Sequence, residues 1–272
     1  MATTQKTDRF RALHQKGAPF IIANAWDVGS ARIAEGLGFQ AIATTSSGFA
    51  MTKGRKDYGV SRDDALAHCR DLAAAVDIPV SADLENGWAD EPHEVAETIA
   101  LAVKTGLSGG SIEDSTGDPD NPIYDQNHAA ERIVAAEYEA RKSKTGFVLT
   151  ARAEGYLWGE PRLDDIIDRL LQFEAAGADV LFAPGLPDMN AVRAVCSAVS
   201  KPVNILVLGK LAQYSLDDFA EAGAARISVG GALANVAYAT LADSKAMLTT
   251  GSFDCLSANA KGRATVSAFL RD

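Results

Sequence analysis

Short runs of apolar, β-favouring residues alternate along this chain with longer stretches whose apolar positions recur three and four apart. The first pattern marks strands buried on both faces, the second amphipathic helices. Strands are expected at residues 20–23, 41–45, 80–83, 110–113, 148–152, 180–183, 203–206 and 226–229. Helices are expected at 63–76, 91–104, 129–142, 163–176, 188–199 and 216–222. Several helical stretches open on acidic residues and close on glycine, as at Thr105-Gly106 and Ala176-Gly177. That arrangement suits the helix dipole and the left-handed turn into the next strand.

Strand alternating with helix implies parallel strands joined by crossover helices. Eight such units in 272 residues is the size of an α/β fold of the (β/α)8 TIM-barrel type, here with extra C-terminal helices. A doubly wound open sheet is the rival, and it carries a glycine-rich phosphate loop after its first strand. Here the first strand runs instead into Asn24-Ala25-Trp26-Asp27-Val28-Gly29. No linker or low-complexity segment divides the chain, so residues 1–272 are read as one barrel domain. A helical tail from about residue 232 to 272 exceeds what barrel closure requires and is available for packing between subunits.

Composition narrows the functional classes. Hydrophobic content of 47% and charged content of 23% are those of a globular soluble protein. No stretch approaches eighteen uninterrupted apolar residues, so no membrane partner is expected. Met1 to Arg11 is polar, without the apolar core of a signal peptide. Cys69, Cys196 and Cys255 form neither a disulfide framework nor a metal-ligand pattern, which points to a cytoplasmic location. The net charge of −10 and the lack of a basic run argue against nucleic acid. They do not exclude a small anionic ligand, because charge at the site governs that.

In such barrels the working site lies at the carboxyl ends of the strands. Strand three leads into Asp83-Leu84-Glu85-Asn86-Gly87, two acids spaced i, i+2 and so expected on one side of the strand. Strand four ends in Glu113 and Asp114, strand five in Arg152 and Glu154, and strand seven carries Asn204. Like charges held close repel unless a cation lies between them. Oxygen-only ligands suit Mg²⁺ or Mn²⁺, with Asp83, Glu85 and Glu113 as the expected metal ligands. Their charge, a divalent cation and Arg152 sum to zero, so the pocket can admit an anionic acid. Arg152 is expected to grip a carboxylate by its planar fork, with an ion pair to Glu154 as the alternative role. The Ser46–Phe49 turn offers small residues and backbone N–H groups suited to acid oxygens. Residues 115–127 are long for a βα connection and are expected to act as a lid, with a plain surface excursion as the alternative.

With these residues in view, the chain resembles the isocitrate lyase/phosphoenolpyruvate mutase superfamily. The motifs are Thr45-Ser46-Ser47-Gly48-Phe49, Ala82-Asp83-Leu84-Glu85-Asn86-Gly87, Ser111-Ile112-Glu113-Asp114 and Thr150-Ala151-Arg152. The resemblance implies a barrel, a homo-oligomer (dimer or tetramer) with a terminal helix exchanged between subunits, and Mg²⁺ near Asp83, Glu85 and Glu113. It implies that Ser47, Gly48 and Phe49 bind an acid group, that Asp57 lines the site and that Arg152 binds substrate. It also implies cleavage or formation of a C–C or P–C bond beside a 2-oxo or 2-hydroxy acid.

Departures from the pattern bear on substrate. The lid lacks the Lys-Lys-Cys-Gly-His run of the isocitrate-type lyases. Asn121 keeps the spacing of the asparagine in phosphonate-handling members, but Pro119 stands where their lysine belongs, and strand six ends at Pro184. The expected activity is therefore a Mg²⁺-dependent lyase or decarboxylase acting on a small dicarboxylate of the oxaloacetate or substituted-malate type, through a metal-stabilised enolate. Tyr124 and His128 are the candidate proton donors. Phosphonopyruvate chemistry and a catalytically silent ligand-binding protein are the alternatives.

Overall fold

A computed structural model describes residues 3–159 and 161–270. Residues 1, 2, 160, 271 and 272 lie outside these, and with them the outermost ends of the expected domain and tail. The strands are β1 (Phe20–Ala25), β2 (Ile42–Thr44), β3 (Val80–Asp83), β4 (Gly109–Glu113), β5 (Val148–Arg152), β6 (Val180–Phe182), β7 (Val203–Leu206) and β8 (Arg226–Ser228). All pair in parallel in chain order, and β8 closes on β1 with Arg226 opposite Phe20. The architecture is the expected (β/α)8 barrel, and each strand falls within a residue or two of its expected place.

The helices run in chain order as α1 (Thr3–Leu13), α2 (Val28–Gly36), α3 (Ser46–Thr52), α4 (Arg62–Ala75), α5 (Pro92–Val103) and α6 (Gln126–Lys142). They continue as α7 (Gly155–Trp158), α8 (Leu163–Ala175), α9 (Met189–Ala198) and α10 (Leu216–Glu221), and end with α11 (Ala232–Asp243), α12 (Lys245–Thr249) and α13 (Asn259–Ser267). Side-chain caps fix several starts. Asp27 accepts from the Ser30 amide at 2.6 Å, Ser61 from the Asp64 amide at 3.2 Å, and Asp125 from the amides of Asn127 and His128. The Asp125 cap starts α6 three residues before the expected boundary.

Four helices lie outside the expected set: α1, α2, α3 and α7. α1 has no sustained apolar stripe, yet its Phe10 is fully buried among Phe20, Ile22, Ala41, Val148 and Val180. These residues close the amino-terminal end of the barrel, so tertiary packing of one aromatic ring holds the helix there. The Lys6 ammonium donates to the carbonyls of Val76 and Ala73 at 2.6 and 3.3 Å, tying α1 to the end of α4. α3 is too short to show a period.

The tail folds back on its own barrel. Phe269 lies against α2 so closely that a methyl group on Gly36 would sit 2.1 Å from its ring. Outward-facing Leu241 and Leu248 are 69% and 90% exposed. No helix among the described residues is long and apolar enough to cross a membrane.

Candidate active site

The carboxyl ends of β3, β4 and β5 are adjacent, because Asp83 pairs with Ser111 and Glu113 pairs with Arg152 in the strand registers. The guanidinium of Arg152 sits at their centre. Its Nη1 meets Asp83 Oδ1 at 2.7 Å, its Nη2 meets Glu113 Oε2 at 3.1 Å and its Nε meets Glu154 Oε1 at 2.8 Å. The expected alternative role of Arg152, pairing with Glu154, is thus present together with its place at the mouth. The group also lies over the ring of Phe182, 5.2 Å from its centroid. Glu113 accepts from the Tyr58 hydroxyl as well.

Burial pushes the Glu113 carboxyl well above the usual range, and Arg152 pulls it back only in part. Asp114 is pushed up to about 7 by burial, with Arg169 3.2 Å away opposing the rise. Its Oδ1 accepts from the Glu154 amide at 2.7 Å, which fixes the turn after β5. Arg132, buried on α6, donates to the carbonyls of Glu113, Asn86 and Ala89 and holds the two acidic turns together.

Glu85 departs from the expected strand geometry. β3 stops at Asp83, and Glu85 sits in the following turn with φ of +47°. The turn, closed by the Gly87 amide donating to the Leu84 carbonyl at 2.8 Å, therefore sets its direction. The carboxyl of Glu85 is buried and accepts no hydrogen bond among the described residues. Burial, then Asp83 and Asp57, push it up to about 8. Asp57 is raised as well, by lost hydration first and by the charge of Asp83 second.

A cavity of about 180 Å³ opens at the mouth, with Asp57, Asp83, Arg152, Ser47 and Asn204 in its wall. Glu85 lies behind Asp83, facing a void of about 10 Å³ bounded by Phe49, His68 and Trp88. Among the described residues no three Asp, Glu, His or Cys side chains are gathered around one point as a ligand set. The expected trio of Asp83, Glu85 and Glu113 is divided: Arg152 stands between the first and the third, and only Asp83 borders the cavity.

The donor chemistry nonetheless suits a hard divalent cation. The carboxyls of Asp57 and Glu85 are raised in part by repulsion from Asp83, a surplus of negative charge that Arg152 alone does not offset. The acids offer only oxygen, and Mg²⁺ takes few direct carboxylates while keeping several waters.

The Ser46–Phe49 segment is the first turn of α3. Thr45 caps it, with its Oγ1 accepting from the Gly48 amide at 3.2 Å. The Ser46 amide and hydroxyl both donate to Asp83 Oδ2, at 3.2 and 2.9 Å, so this turn orients the acid of β3. Ser47 borders the cavity. Gly48 does not, and a methyl group there would come within 2.6 Å of Thr45 and 3.0 Å of Trp26. Phe49 is turned into the core, stacked on His68 with ring centroids 3.8 Å apart. Its amide is spent within the helix on the Thr45 carbonyl.

Residues 115–123 fold as a compact hairpin, with Ser115 bridged to Ile123 and the Thr116 amide donating to the Pro122 carbonyl, and residues 126–127 already belong to α6. The Tyr124 hydroxyl donates to Asp90, and His128 Nε2 lies 2.9 Å from the Asp90 carbonyl. Burial and that bond push Tyr124 up to about 12. Asn121 is exposed on the hairpin. None of Asn121, Tyr124 and His128 borders the cavity, so the expected proton donors and lid asparagine are not brought to the site.

Two roles at the site are stated by no motif. Ser46 lies within the Thr45–Phe49 motif, but its hold on Asp83, like that of Tyr58 on Glu113, is a contact only the fold reveals. Arg226 had a visible signal: a charge inside a strand that a closed barrel buries.

A closed parallel barrel with an acid-and-arginine mouth defines a class of small-molecule enzymes of the α/β barrel type. The family model for phosphoenolpyruvate phosphomutase matches residues 10–249. The chain belongs to this family, within the isocitrate lyase/phosphoenolpyruvate mutase superfamily. The uncharacterized protein Rv1998c of Mycobacterium tuberculosis H37Rv is 34% identical over 224 residues, 81% of each chain. The 2-methylisocitrate lyase of Escherichia coli K12 is 29% identical over 223 residues, 78% of this chain and 74% of that one. A crystal structure from Burkholderia cenocepacia J2315, named only broadly as a lyase/mutase, is 47% identical with a TM-score of 0.93, covering 99% of this chain and 97% of that one.

Proposed function

We propose that this protein is a carbon–carbon lyase of its superfamily acting on a small 2-oxo or 2-hydroxy dicarboxylate, with oxaloacetate and substituted malates as the first candidates. The observation that carries this reading is the pairing of Asp83 with Arg152 at 2.7 Å in the wall of one cavity. Its volume of about 180 Å³ suits a small acid. Names among the relatives agree in class: 2-methylisocitrate lyase, and an oxaloacetate decarboxylase of Rhodopseudomonas palustris BisB5, 29% identical over 255 residues.

Asp83, with Asp57 and Glu85 adding charge around it, would hold a divalent cation, and Glu113 would act from behind Arg152. Such a cation supplies Lewis acidity toward the oxygen that gains charge as the bond breaks. The protein's own residues do the rest. Three of the five N–H groups of Arg152 face acids, which leaves two for a substrate carboxylate. The Ser46 amide and hydroxyl keep Asp83 oriented, and Ser47 adds a hydroxyl at the rim. With oxaloacetate, loss of CO2 leaves the bonding electron pair as the enolate of the 2-oxo acid fragment, which then takes a proton on carbon. With a malate, the 2-hydroxyl gives up its proton to become the 2-oxo group. The pair then goes to the other fragment, whose carboxylate stabilises it as an enolate until a proton returns to carbon. Fixed charge aimed at that oxygen is the largest catalytic contribution available to such a site.

The test is a panel of 2-oxo and 2-hydroxy acids assayed with and without Mg²⁺, following release of a 2-oxo acid product. Mg²⁺-stimulated cleavage of a dicarboxylate supports the reading. Phosphate or phosphoenolpyruvate formed from phosphonopyruvate would replace it with P–C chemistry, the activity in the family model's own description. Ligand binding without turnover across the panel would leave a silent binding protein.

A further inference from the structure

The cavity reaches deeper than the mouth. Barrel interiors are usually packed with large branched side chains. Here small polar residues, Ser81, Ser111 and Ser228, stand on its wall, and the space continues to Arg226 on β8. Arg226 is only 5% exposed. It lies two residues before Ser228 on the same face of the strand, about 7 Å further from the mouth.

This buried cation has no anionic partner among the described residues. Its Nε donates to Asn204 Oδ1 at 2.8 Å, its Nη2 donates to Thr150 Oγ1 at 3.3 Å, and its Nη1 lies 3.2 Å from His14 Nε2. His14 Nδ1 sits 2.8 Å from the Phe10 carbonyl, which can only accept, so the ring proton is on Nδ1 and Nε2 presents its lone pair to Arg226. Burial pulls His14 down to about 3, so the ring is neutral. All three acceptors are therefore uncharged, and two of the five guanidinium N–H groups are left over.

The charge that acts on Arg226 is that of Arg152, of like sign. The contrast between the two is direct. Arg152 is matched by three acids, and Arg226 by none. A lone charge held out of water is costly unless an opposite charge meets it. Burial pulls Arg226 down to about 9, which still leaves it a cation at neutral pH.

We infer that Arg226, with Asn204 and Ser228, forms a second anion position at the floor of the cavity that receives the distal carboxylate of a dicarboxylic acid whose other carboxylate is held by Arg152. Asn204 links the parts: its Oδ1 orients Arg226, and its Nδ2 donates to Ser228 Oγ at 2.9 Å. A methyl group in place of the distal carboxylate leaves Arg226 unpaired, so the position selects for dicarboxylates. The substrate class rests on the lyase reading above; the anion position does not require turnover.

The experiment is calorimetric binding of malate and of 2-hydroxybutyrate, which carries methyl where malate has its second carboxylate, in the presence of Mg²⁺. Product formation is followed in the same samples. Wild-type protein is expected to prefer malate by about tenfold or more, the scale of a charge-assisted hydrogen bond. Arg226→Gln should reduce that preference to about twofold or less, and Arg226→Lys should keep part of it, while circular dichroism confirms the fold. Equal binding of the two acids by wild-type protein overturns the inference without any variant. An undiminished preference in folded Arg226→Gln also overturns it and leaves Arg226 as an internal tie between β5, β7 and His14, just after α1. Arg226-dependent preference without turnover of any dicarboxylate refutes the lyase reading alone. Turnover with a preference indifferent to Arg226 refutes this inference alone.

Discussion

Asp83 Oδ1 and Arg152 Nη1 meet at 2.7 Å across the mouth of the barrel, although 69 residues separate them in the chain. Asp83 is held from the other side by the Ser46 amide and hydroxyl, and Arg152 by Glu113 and Glu154. Neither side chain can move alone without breaking several charge-assisted contacts. The pair is thus held in place from both sides by the fold itself.

Replacing Arg152 by methionine would leave Asp83, Glu113 and Glu154 without their shared cation. Loss of one partner of a buried ion pair costs about 3–5 kcal/mol, so the melting temperature should fall by many degrees. Arg152→Lys restores a charge but not the fork, and kcat/KM should drop by about a hundredfold with less loss of stability. Denaturant titration and steady-state kinetics of both variants check this; wild-type kinetics in Arg152→Lys would show that the fork is not used.

Glu85 sets a pH dependence. Its folded-state value of about 8 lies above the ordinary 4.5, so the folded chain holds a proton that the unfolded chain has released. Stability is greatest below about 4.5 as far as this group is concerned, and falls as pH rises toward 8. Melting curves between these limits in a chelator should show that decline, and Glu85→Gln should flatten it. A matching slope in the variant would place the titration elsewhere.

Gly48→Ala adds a methyl group within 2.6 Å of Thr45 and 3.0 Å of Trp26. The first turn of α3 must shift, carrying with it the Ser46 contacts to Asp83. A loss of about 1–3 kcal/mol is expected from the overpacking, with a lower affinity for oxalate. Unchanged stability and affinity in calorimetry would show that the turn can yield freely.

Tyr124→Phe removes the hydrogen bond to Asp90 outside the cavity. Stability should fall by about 1 kcal/mol, while kcat and its pH profile stay within about twofold of wild type. A large loss of kcat with the fold intact would bring Tyr124 back as the proton donor.

The barrel was readable because its signal repeats: each of eight apolar runs is bounded by turn residues, and closure follows from their number. The mouth was readable in its residue types but not in its pairings. Asp83, Glu113 and Arg152 stood out as charges at strand ends, yet only the registers reveal that Arg152 reaches Asp83 and Glu113 as well as its near neighbour Glu154. Glu85 was placed by strand alternation, whereas the strand ends at Asp83 and a left-handed turn sets its direction. Phe49 sits beside the mouth in sequence and in the core in space, because one turn of helix swings its side chain onto His68. Tyr124 and His128 were candidates by proximity to the connection after β4, and the hairpin there pins both to Asp90.

Asp83 is the one acid of the expected trio that borders the cavity, so its removal is the most direct trial of the whole account. The measurement is Mg²⁺-stimulated cleavage of the best dicarboxylate by Asp83→Ala, with the fold verified by circular dichroism. Turnover reduced to background in a folded variant is the predicted result. Turnover at the wild-type level would contradict a reaction centred on this acid.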